Sequence, residues 1–322
     1  MTNKSIVYFN GKFVPQDEAV VPINTHALHY GTGCFEGIRA YYNEKENALL
    51  VFRMQDHYKR LLQSCKILMT QPSESIEQLC EITVKLIEKN FLKEDLYIRP
   101  LAYKADAAVG NFNLKTLKNG FAIYTVALGR YLNTDRGIRA NVSSWRRIPD
   151  NAIPPRGKIT GSYVNTALAK SESLFAGFEE AILLDEQGHV VEGSAENFFL
   201  VKDGVVITPP PSSDILIGIT RETIMRLCQK DLVIPVMERN IDRSELYQAD
   251  EIFLVGTGAE VTPVIEIDNR AIANGKTGPI TATLKEKYFQ LVHGQYPKYK
   301  EFITRVRPTN TSDGGRLNGV KP

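Results

Sequence analysis

The chain has 322 residues, which exceeds the usual size of a single domain and predicts two domains. Hydrophobic residues make up 43% and charged residues 24% of the sequence, and this balance argues against intrinsic disorder. The net charge is only +2 and no long basic block is present, so we do not expect a nucleic-acid partner.

Local patterns in residues 1–128 predict a compact α/β unit, the first domain. Residues 6–14 alternate around Asn10-Gly11, which predicts a β-hairpin because both turn positions take positive φ. A second helix of this unit is predicted to begin at Ser75, whose hydroxyl can cap the amide near Gln78. The remaining predicted elements are a strand at 48–53, a helix at 56–69, and buried strands at 96–103 and 121–128.

Polar and turn-forming residues at 129–137 predict a connector to a second α/β domain at 138–304, with a polar tail at 305–322. An amphipathic helix is predicted to run from Tyr163 to Gly177. The other predicted elements are a strand at 138–144, hairpins at Gln187-Gly188 and Asp203-Gly204, a helix near Thr220, a capped helix at Asp242, and a strand at 251–257.

The search for familiar chemical motifs excludes several classes of protein. The histidines show no metal-ligand spacing except His26 and His29, which have no acidic or cysteine partner nearby, so no metal site is expected. No motif of a serine hydrolase, a P-loop or a dinucleotide fold is present. The four cysteines form no CxxC pair, and neither a signal peptide nor a long apolar run is present. We therefore expect a cytoplasmic protein with reduced thiols and no membrane partner.

Seven segments between residues 26 and 264 form one pattern, and the resemblance that they carry extends over about residues 8–288. In chain order they are HALHYGTGCFEGIRAY, RLLQSCKIL, YIRPLAY, GKITGSYVNTALAKSES, EGSAENFFLV, GITRE and GTGAEVTPV. In order and spacing they resemble the branched-chain aminotransferases, which are class IV, fold-type IV enzymes dependent on pyridoxal 5'-phosphate. The resemblance implies a small α/β domain, a larger α/β domain with a pseudo-barrel, and the cofactor between them. It also implies a homodimer or a larger assembly of dimers, with a partner loop closing the site, and Val109-Gly110-Asn111 is the candidate loop.

The resemblance assigns residues to the cofactor. Lys158 lies among small residues and matches the catalytic lysine that holds the cofactor as a Schiff base, a role that needs an accessible amine of lowered pKa. Glu196 matches the carboxylate that pairs with the pyridine nitrogen, and Tyr163 matches the tyrosine that bonds to the phenolic oxygen. Residues matching the phosphate site are Arg60, Ile219 and Thr220 at a helix start, and Thr257.

Other matching residues are expected to bind the amino-acid and 2-oxo-acid substrates. Tyr97 and Arg99 alternate on a strand and therefore share a face, and by resemblance they bind carboxylates. The amides of Gly258 and Ala259 match the α-carboxylate site. The positions that match the lining of the pocket are Tyr30, Phe35, Gly37, Arg39 and Tyr131. Leu128 stands where many bacterial relatives carry tryptophan, which predicts a roomier pocket.

The predicted reaction is a ping-pong transfer of the amino group from leucine, isoleucine or valine to 2-oxoglutarate, which leaves as L-glutamate. Three alternatives stay open. A D-amino-acid or (R)-amine transaminase would share the fold and Lys158 without needing the Tyr97–Arg99 pair. An aminodeoxychorismate lyase would release pyruvate without an amino acceptor. A protein that binds the cofactor without catalysis is the third alternative.

Overall fold

The computed structural model describes residues 5–129 and 136–308, which form two β-sheets with α-helices packed against them. The strands in chain order are β1 (Ile6–Phe9), β2 (Lys12–Pro15), β3 (Gly33–Phe35), β4 (Ile38–Asn43), β5 (Ala48–Phe52), β6 (Leu96–Lys104), β7 (Asn119–Ala127), β8 (Ile138–Arg146), β9 (Glu180–Leu184), β10 (Val190–Gly193), β11 (Asn197–Lys202), β12 (Val205–Thr208), β13 (Val236–Glu238), β14 (Glu251–Gly256), β15 (Glu260–Ile267), β16 (Arg270–Ala271) and β17 (Ile303–Val306).

The α-helices of the described ranges are α1 (His26–Tyr30), α2 (Met54–Ile67), α3 (Ile76–Lys89), α4 (Tyr163–Phe175), α5 (Ile219–Leu227) and α6 (Pro279–Val292). A π-helical turn, Cys228–Leu232, continues α5. Short 3-10 helices lie at Gln16–Glu18, Thr160–Ser162, Arg243–Tyr247 and Pro297–Phe302.

The first sheet has the strand order β17-β5-β4-β6-β7-β1-β2, and β3 pairs with β6. The predicted hairpin is confirmed, since Asn10 and Gly11 take φ values of 45° and 91° between β1 and β2. Strand β5 is buried along its whole length, which explains its unbroken apolar sequence. Its residue Val51 packs into the core beneath α2 and α3, whereas Leu50 packs into a second core with α5 and α6.

The second sheet contains a closed ring of six strands, which matches the predicted pseudo-barrel. Strand β10 pairs with both β9 and β11, so that the order β10-β9-β8-β15-β14-β11 returns to its beginning. Alternate residues of these strands, such as Ala140, Phe198 and Leu254, form one shared core inside the ring. The residues between them, such as Phe199 and Phe253, point outward and pack against α5 and α6.

Most predicted helices are confirmed, and two α-helices of the described ranges, α1 and α6, were not predicted. Helix α3 begins after a capping box in which the Gln78 amide donates to the Ser75 hydroxyl over 3.3 Å and the Ser75 amide donates to the Gln78 side chain. Helix α6 was missed although Gly278 followed by Pro279 is a sequence pattern typical of a helix start.

The chain returns to the first sheet at its end, because β17 pairs antiparallel with β5. This strand lies at residues that the sequence analysis divided between the second domain and the polar tail. Val306 is buried there although it was assigned to the tail. The strand therefore carries the chain from the second sheet back to the core of the first, and the division at residues 129–137 stays a prediction.

Candidate active site

A cavity of about 390 Å³ lies between the two sheets, and most of the predicted site residues line it. Strands β3, β6 and β7 supply one side, and the segment before α4 supplies another together with the turns after β10 and β14. The predicted residues that line the cavity are Phe35, Gly37, Arg60, Tyr97, Arg99, Lys158, Tyr163, Glu196, Ile219, Thr220, Thr257, Gly258 and Ala259. Residues that are far apart in the chain therefore meet in one place.

Lys158 is held in place by its backbone and projects its amine into the cavity. Its amide donates to the Ser64 hydroxyl over 3.0 Å, and its carbonyl accepts from the Phe35 amide at the same distance. These bonds attach the lysine to both α2 and β3. The amine donates to the Tyr163 hydroxyl over 2.7 Å and lies 5.0 Å from the centre of the Phe35 ring. The amine is thus oriented by an aromatic wall and faces the open space.

Glu196 is a buried carboxylate that lines the same cavity, with an exposed fraction of 4%. Its Oε2 accepts from the Ala195 amide over 3.0 Å. Burial, followed by the nearby Glu180 carboxylate, raises the pKa of Glu196 to about 8, whereas the Ala195 amide and Lys170 act in the opposite direction. A carboxylate in this state gains strongly from a cationic partner such as a protonated pyridine nitrogen.

Arg60 on α2 is held by Glu36, which the sequence analysis did not single out. Its Nε and Nη2 donate to the two oxygens of Glu36 over 2.6 and 2.8 Å, and its Nη1 donates to the Ile217 carbonyl. Glu36 is fully buried and also accepts from His57. Burial alone would raise the pKa of Glu36, but Arg60 and His57 hold it well below its usual range. Two N–H groups of the guanidinium, one on each terminal nitrogen, are left for an anion.

The start of α5 supplies amides on the same side as Arg60. Gly218 precedes the helix, and amides of a first helical turn have no acceptor within the helix. A Cβ at Gly218 would lie 1.9 Å from the Asn197 side-chain oxygen, so the close approach requires glycine there. Thr257 and Gly258 form the turn between β14 and β15 and line the cavity nearby. These donors and Arg60 suit a phosphate group.

Tyr97 and Arg99 share one face of β6, as predicted from their spacing. Arg99 donates to the Tyr97 hydroxyl over 3.1 Å, and its guanidinium lies 4.5 Å from the centre of the Phe35 ring. Arg99 forms no ion pair with the residues that the structure describes, and its buried Nε has no hydrogen-bond partner among them. The guanidinium is therefore a cation available for a carboxylate in the cavity.

Gly37 makes room for this arrangement, since its ideal Cβ would lie 1.8 Å from the Tyr97 hydroxyl oxygen. Val126 and Leu128 line the same region and add apolar surface. Leu128 was expected from the sequence to affect the size of the pocket, whereas Val126 was not predicted, although the two positions alternate in step at the end of β7. The other lining residues that were not predicted are Ala195, Asn197, Leu216, Gly218, Val255 and Gly256.

Two of the predicted pocket residues that the structure describes do not line the cavity, and the first is Arg39. This side chain is 2% exposed and lies beneath the turn after β14, where it donates to the Gly258 carbonyl over 3.4 Å. Its other partners are the carbonyls of Leu128 and Gly129 and the carboxylates of Asp95 and Glu260. The buried Glu260 and the half-buried Asp95 therefore hold the guanidinium away from the cavity, where it links the cavity's two sides.

Tyr30 likewise lies outside the cavity. Its hydroxyl accepts from the Gly110 amide over 3.1 Å, and its ring packs against Phe112 at the edge of the first sheet. Tyr131 lies outside the described residues. Within the described ranges, no group of three potential metal ligands occurs, and no helix is long and apolar enough to cross a membrane.

Comparison with known proteins identifies the family. The family model for amino-transferase class IV matches residues 33–267. The chain belongs to the class IV aminotransferase family. A probable branched-chain-amino-acid aminotransferase of Aquifex aeolicus is 52% identical over 299 residues, which cover 93% of this chain and 96% of the relative.

Solved structures agree with this family assignment. The branched-chain aminotransferase of Thermoproteus uzoniensis with norvaline has a TM-score of 0.90 and 43% identity, over 94% of this chain and 99% of that one. The branched-chain amino acid aminotransferase of Thermobaculum terrenum, in its PLP form (holo form), has a TM-score of 0.87 and 36% identity, over 95% and 99%. The predicted family, the fold type, the aminotransferase activity and the cofactor class are thereby confirmed.

Proposed function

We propose that this class IV aminotransferase uses pyridoxal phosphate to transfer the amino group of branched-chain L-amino acids to 2-oxoglutarate. The names of its relatives support the branched-chain donor. The observation that carries the proposal is a single cavity that holds Lys158, Glu196 and Arg99, a cation with no ion-pair partner among the described residues. The first two suit the cofactor, and the third suits a second carboxylate on the acceptor.

The residues of the cavity fit the cofactor. Glu196 is buried and its pKa is raised, so a cationic partner would favour its charged form, and Gly218 leaves the start of α5 open to close approach. Bound pyridoxal phosphate would supply an aldehyde carbon and an electron-withdrawing ring, which no side chain of the chain provides. Arg60, Ile219, Thr220 and Thr257 would hold the phosphate.

The chain's own residues would supply attachment and proton transfer. The Lys158 amine lies in the open cavity, where it can attach the cofactor and afterwards move a proton at the substrate Cα. Tyr163 orients this amine through its hydrogen bond of 2.7 Å and would donate to the phenolic oxygen once the amine has reacted. Glu196, when ionised, would hold the proton on the ring nitrogen.

The walls of the cavity can accept both kinds of substrate side chain. Phe35, Val126 and Leu128 present apolar surface for a branched aliphatic side chain. Arg99 and the Tyr97 hydroxyl offer donors to the distal carboxylate of 2-oxoglutarate or L-glutamate. The turn amides of Gly258 and Ala259 would hold the α-carboxylate. One pocket could therefore serve both halves of a ping-pong reaction.

Half-reactions on the purified protein test the proposal. The loss of the visible absorbance of the bound cofactor is followed after mixing with L-leucine, D-alanine or an (R)-arylamine, and its return is followed with 2-oxoglutarate. We expect a fast loss with L-leucine alone among the donors. A reaction with D-alanine or the arylamine and none with L-leucine would contradict the substrate assignment, and release of pyruvate from aminodeoxychorismate would favour a lyase.

Replacement of the lysine tests catalysis separately. Lys158→Ala is expected to slow transamination by at least ~10³-fold, since proton transfer by a positioned group alone contributes about 10²–10⁴. Lys85→Ala, at an exposed position on α3, is the matched control and should react like the wild type. Transamination by Lys158→Ala at the wild-type rate would refute the mechanism and favour a binding protein without this catalysis.

A homodimer remains part of the proposal. Large apolar side chains are exposed around α1 and the segment after β6, namely Val20, Val21, Ile23, Leu28, Val109 and Phe112. Val21 and Leu28 also line a cavity of about 480 Å³ on this side of the first sheet. Exposed apolar surface of this kind is typical of an interface, and a second copy would bring Val109-Gly110-Asn111 to its partner's site. Light scattering that gives the monomer mass would contradict this.

The cytoplasm is the proposed compartment. The four cysteines are all buried and free, as expected in a reducing environment. The proposed division into domains at 129–137 is supported by the position of the cavity, whose sides come from the two sheets.

A further inference from the structure

A wide groove of about 790 Å³ adjoins the active-site cavity at the predicted phosphate site. Arg60, Gly218 and Ile219 line both the groove and the cavity, so the two spaces meet at the residues that suit a phosphate. We call this space the basic groove. Its charged residues are the cations Arg53, Lys59, Arg60, Arg156, Arg221, Arg226 and Lys230, and the acids Asp56, Glu222 and Glu238.

Two lysines account for the positive charge of the basic groove. Arg53 pairs with Asp56 and Glu222, and Arg221 pairs with Glu238. Two acids outside the lining of the groove neutralise two more of its arginines: Glu36 pairs with Arg60, and Asp150 pairs with Arg156. Seven cations therefore face five acids, an excess of two positive charges.

Lys59 and Lys230 are both exposed and form no ion pair with the residues that the structure describes. Lys59 is the neighbour of Arg60 on α2, and Lys230 lies on the π-helical turn that continues α5. The two lysines thus stand on the two elements that frame the predicted phosphate site. Neither lines the active-site cavity, so neither belongs to the proposed catalytic machinery.

We propose that the basic groove captures the phosphate group of pyridoxal phosphate from solution and guides it to Arg60 and the start of α5, which speeds cofactor uptake. This inference rests on the proposed cofactor-dependent function and adds a loading path to it. A phosphate monoester carries nearly two negative charges at neutral pH. A groove with a net positive charge attracts such an anion and raises its association rate.

The effect should lie in the association rate rather than in the strength of the final complex. Exposed charges act over about one Debye length, roughly 8 Å at physiological salt, and neither lysine is among the residues predicted to hold the phosphate. A ligand without the phosphate should not respond to them. Pyridoxal, which has the same ring and aldehyde but no phosphate, is therefore a matched control ligand.

The test measures uptake of cofactor by the full-length protein after its cofactor has been removed. Stopped-flow absorbance follows binding of pyridoxal phosphate and of pyridoxal at low and at high ionic strength. The variants are Lys59→Glu/Lys230→Glu and the neutral Lys59→Gln/Lys230→Gln, with Lys85→Glu on α3 as the control for a surface charge reversal. Circular dichroism and Tm establish that each variant is folded.

We expect the double glutamate variant to bind pyridoxal phosphate roughly tenfold more slowly at low salt and the double glutamine variant a few-fold more slowly. The difference should shrink at high salt, and the rates with pyridoxal and the dissociation rates should stay unchanged. Equal association rates and equal salt dependence in wild type, Lys85→Glu and both double variants would overturn the proposal. Failure of the proposed function differs visibly, since the wild type would then fail to take up the cofactor or to react with L-leucine.

Discussion

Replacing Glu196 with glutamine should have opposite effects on stability and activity. Glutamine keeps the size of the side chain and a carbonyl oxygen that can accept from the Ala195 amide, but it removes the ionisable proton. Without the cofactor, ionisation of this buried carboxyl is unfavourable, because burial and the Glu180 carboxylate raise its pKa to about 8. With the cofactor, the same carboxylate would hold the ring nitrogen protonated. The substitution therefore separates the two roles.

The size of the stability effect follows from the pKa difference. The raised pKa means that the folded protein keeps a proton that the unfolded chain loses near its ordinary pKa of 4.5. The folded state is thus favoured fully below about pH 4.5, and this contribution is lost as the pH rises towards about 8. At about pH 7 the loss is on the order of 3 kcal/mol, at 1.36 kcal/mol per pH unit. Glu196→Gln does not titrate and escapes this loss.

Urea unfolding of the cofactor-free proteins between about pH 5 and pH 8 measures the effect. The free energy of unfolding of Glu196→Gln should exceed that of the wild type increasingly as the pH rises, and the two should converge near pH 5. In single-turnover assays with L-leucine, the variant should react about 10²-fold or more slowly, since a neutral amide cannot keep the ring nitrogen charged. A variant that is no more stable than the wild type at pH 8, or that reacts equally fast, would refute this reasoning.

Three further substitutions probe the cavity. Arg99→Gln should raise the KM for 2-oxoglutarate by roughly 10- to 100-fold with little change in the leucine half-reaction, since a charge-assisted hydrogen bond contributes about 1.5–3 kcal/mol; equal losses in both half-reactions would contradict the assignment. Gly37→Ala places a Cβ 1.8 Å from the Tyr97 hydroxyl, so we expect that ring to move and the KM for both substrates to rise about tenfold in steady-state assays, while cofactor affinity is unchanged. Arg39→Met removes a buried cation from the buried Glu260 and the half-buried Asp95 and should lower the free energy of unfolding by about 3 kcal/mol in urea; an unchanged value would show that the ion pairs add nothing.

Local chemistry made several elements predictable from the sequence. Asn10-Gly11 determined the first hairpin because few residue pairs accept positive φ at both positions, and Ser75 with Gln78 determined the start of α3 through a capping box. Helix α6 escaped prediction, although Pro279 after Gly278 marks its start. The candidate cofactor residues were found because their motifs are contiguous, as in the segment around Lys158.

Contacts between distant residues required the tertiary structure. Glu36 lies 24 residues before Arg60, and nothing in the local sequence shows that the two form a buried ion pair. The same holds for Arg39, whose motif position predicted a lining residue but whose partners Asp95 and Glu260 hold it beneath the cavity.

The sequence by itself determined the family, the cofactor class and Lys158 as the lysine of the site. These depend on short motifs, and the chemistry of the site restricts which residue types can occupy them. Only the tertiary structure decided which arginine faces the cavity, which acid holds Arg60, and where the unpaired lysines of the basic groove lie. The physical reason is that the charge state and direction of a buried or clustered side chain depend on partners from other strands and helices. Those partners are brought together by packing of the two sheets and not by their spacing along the chain.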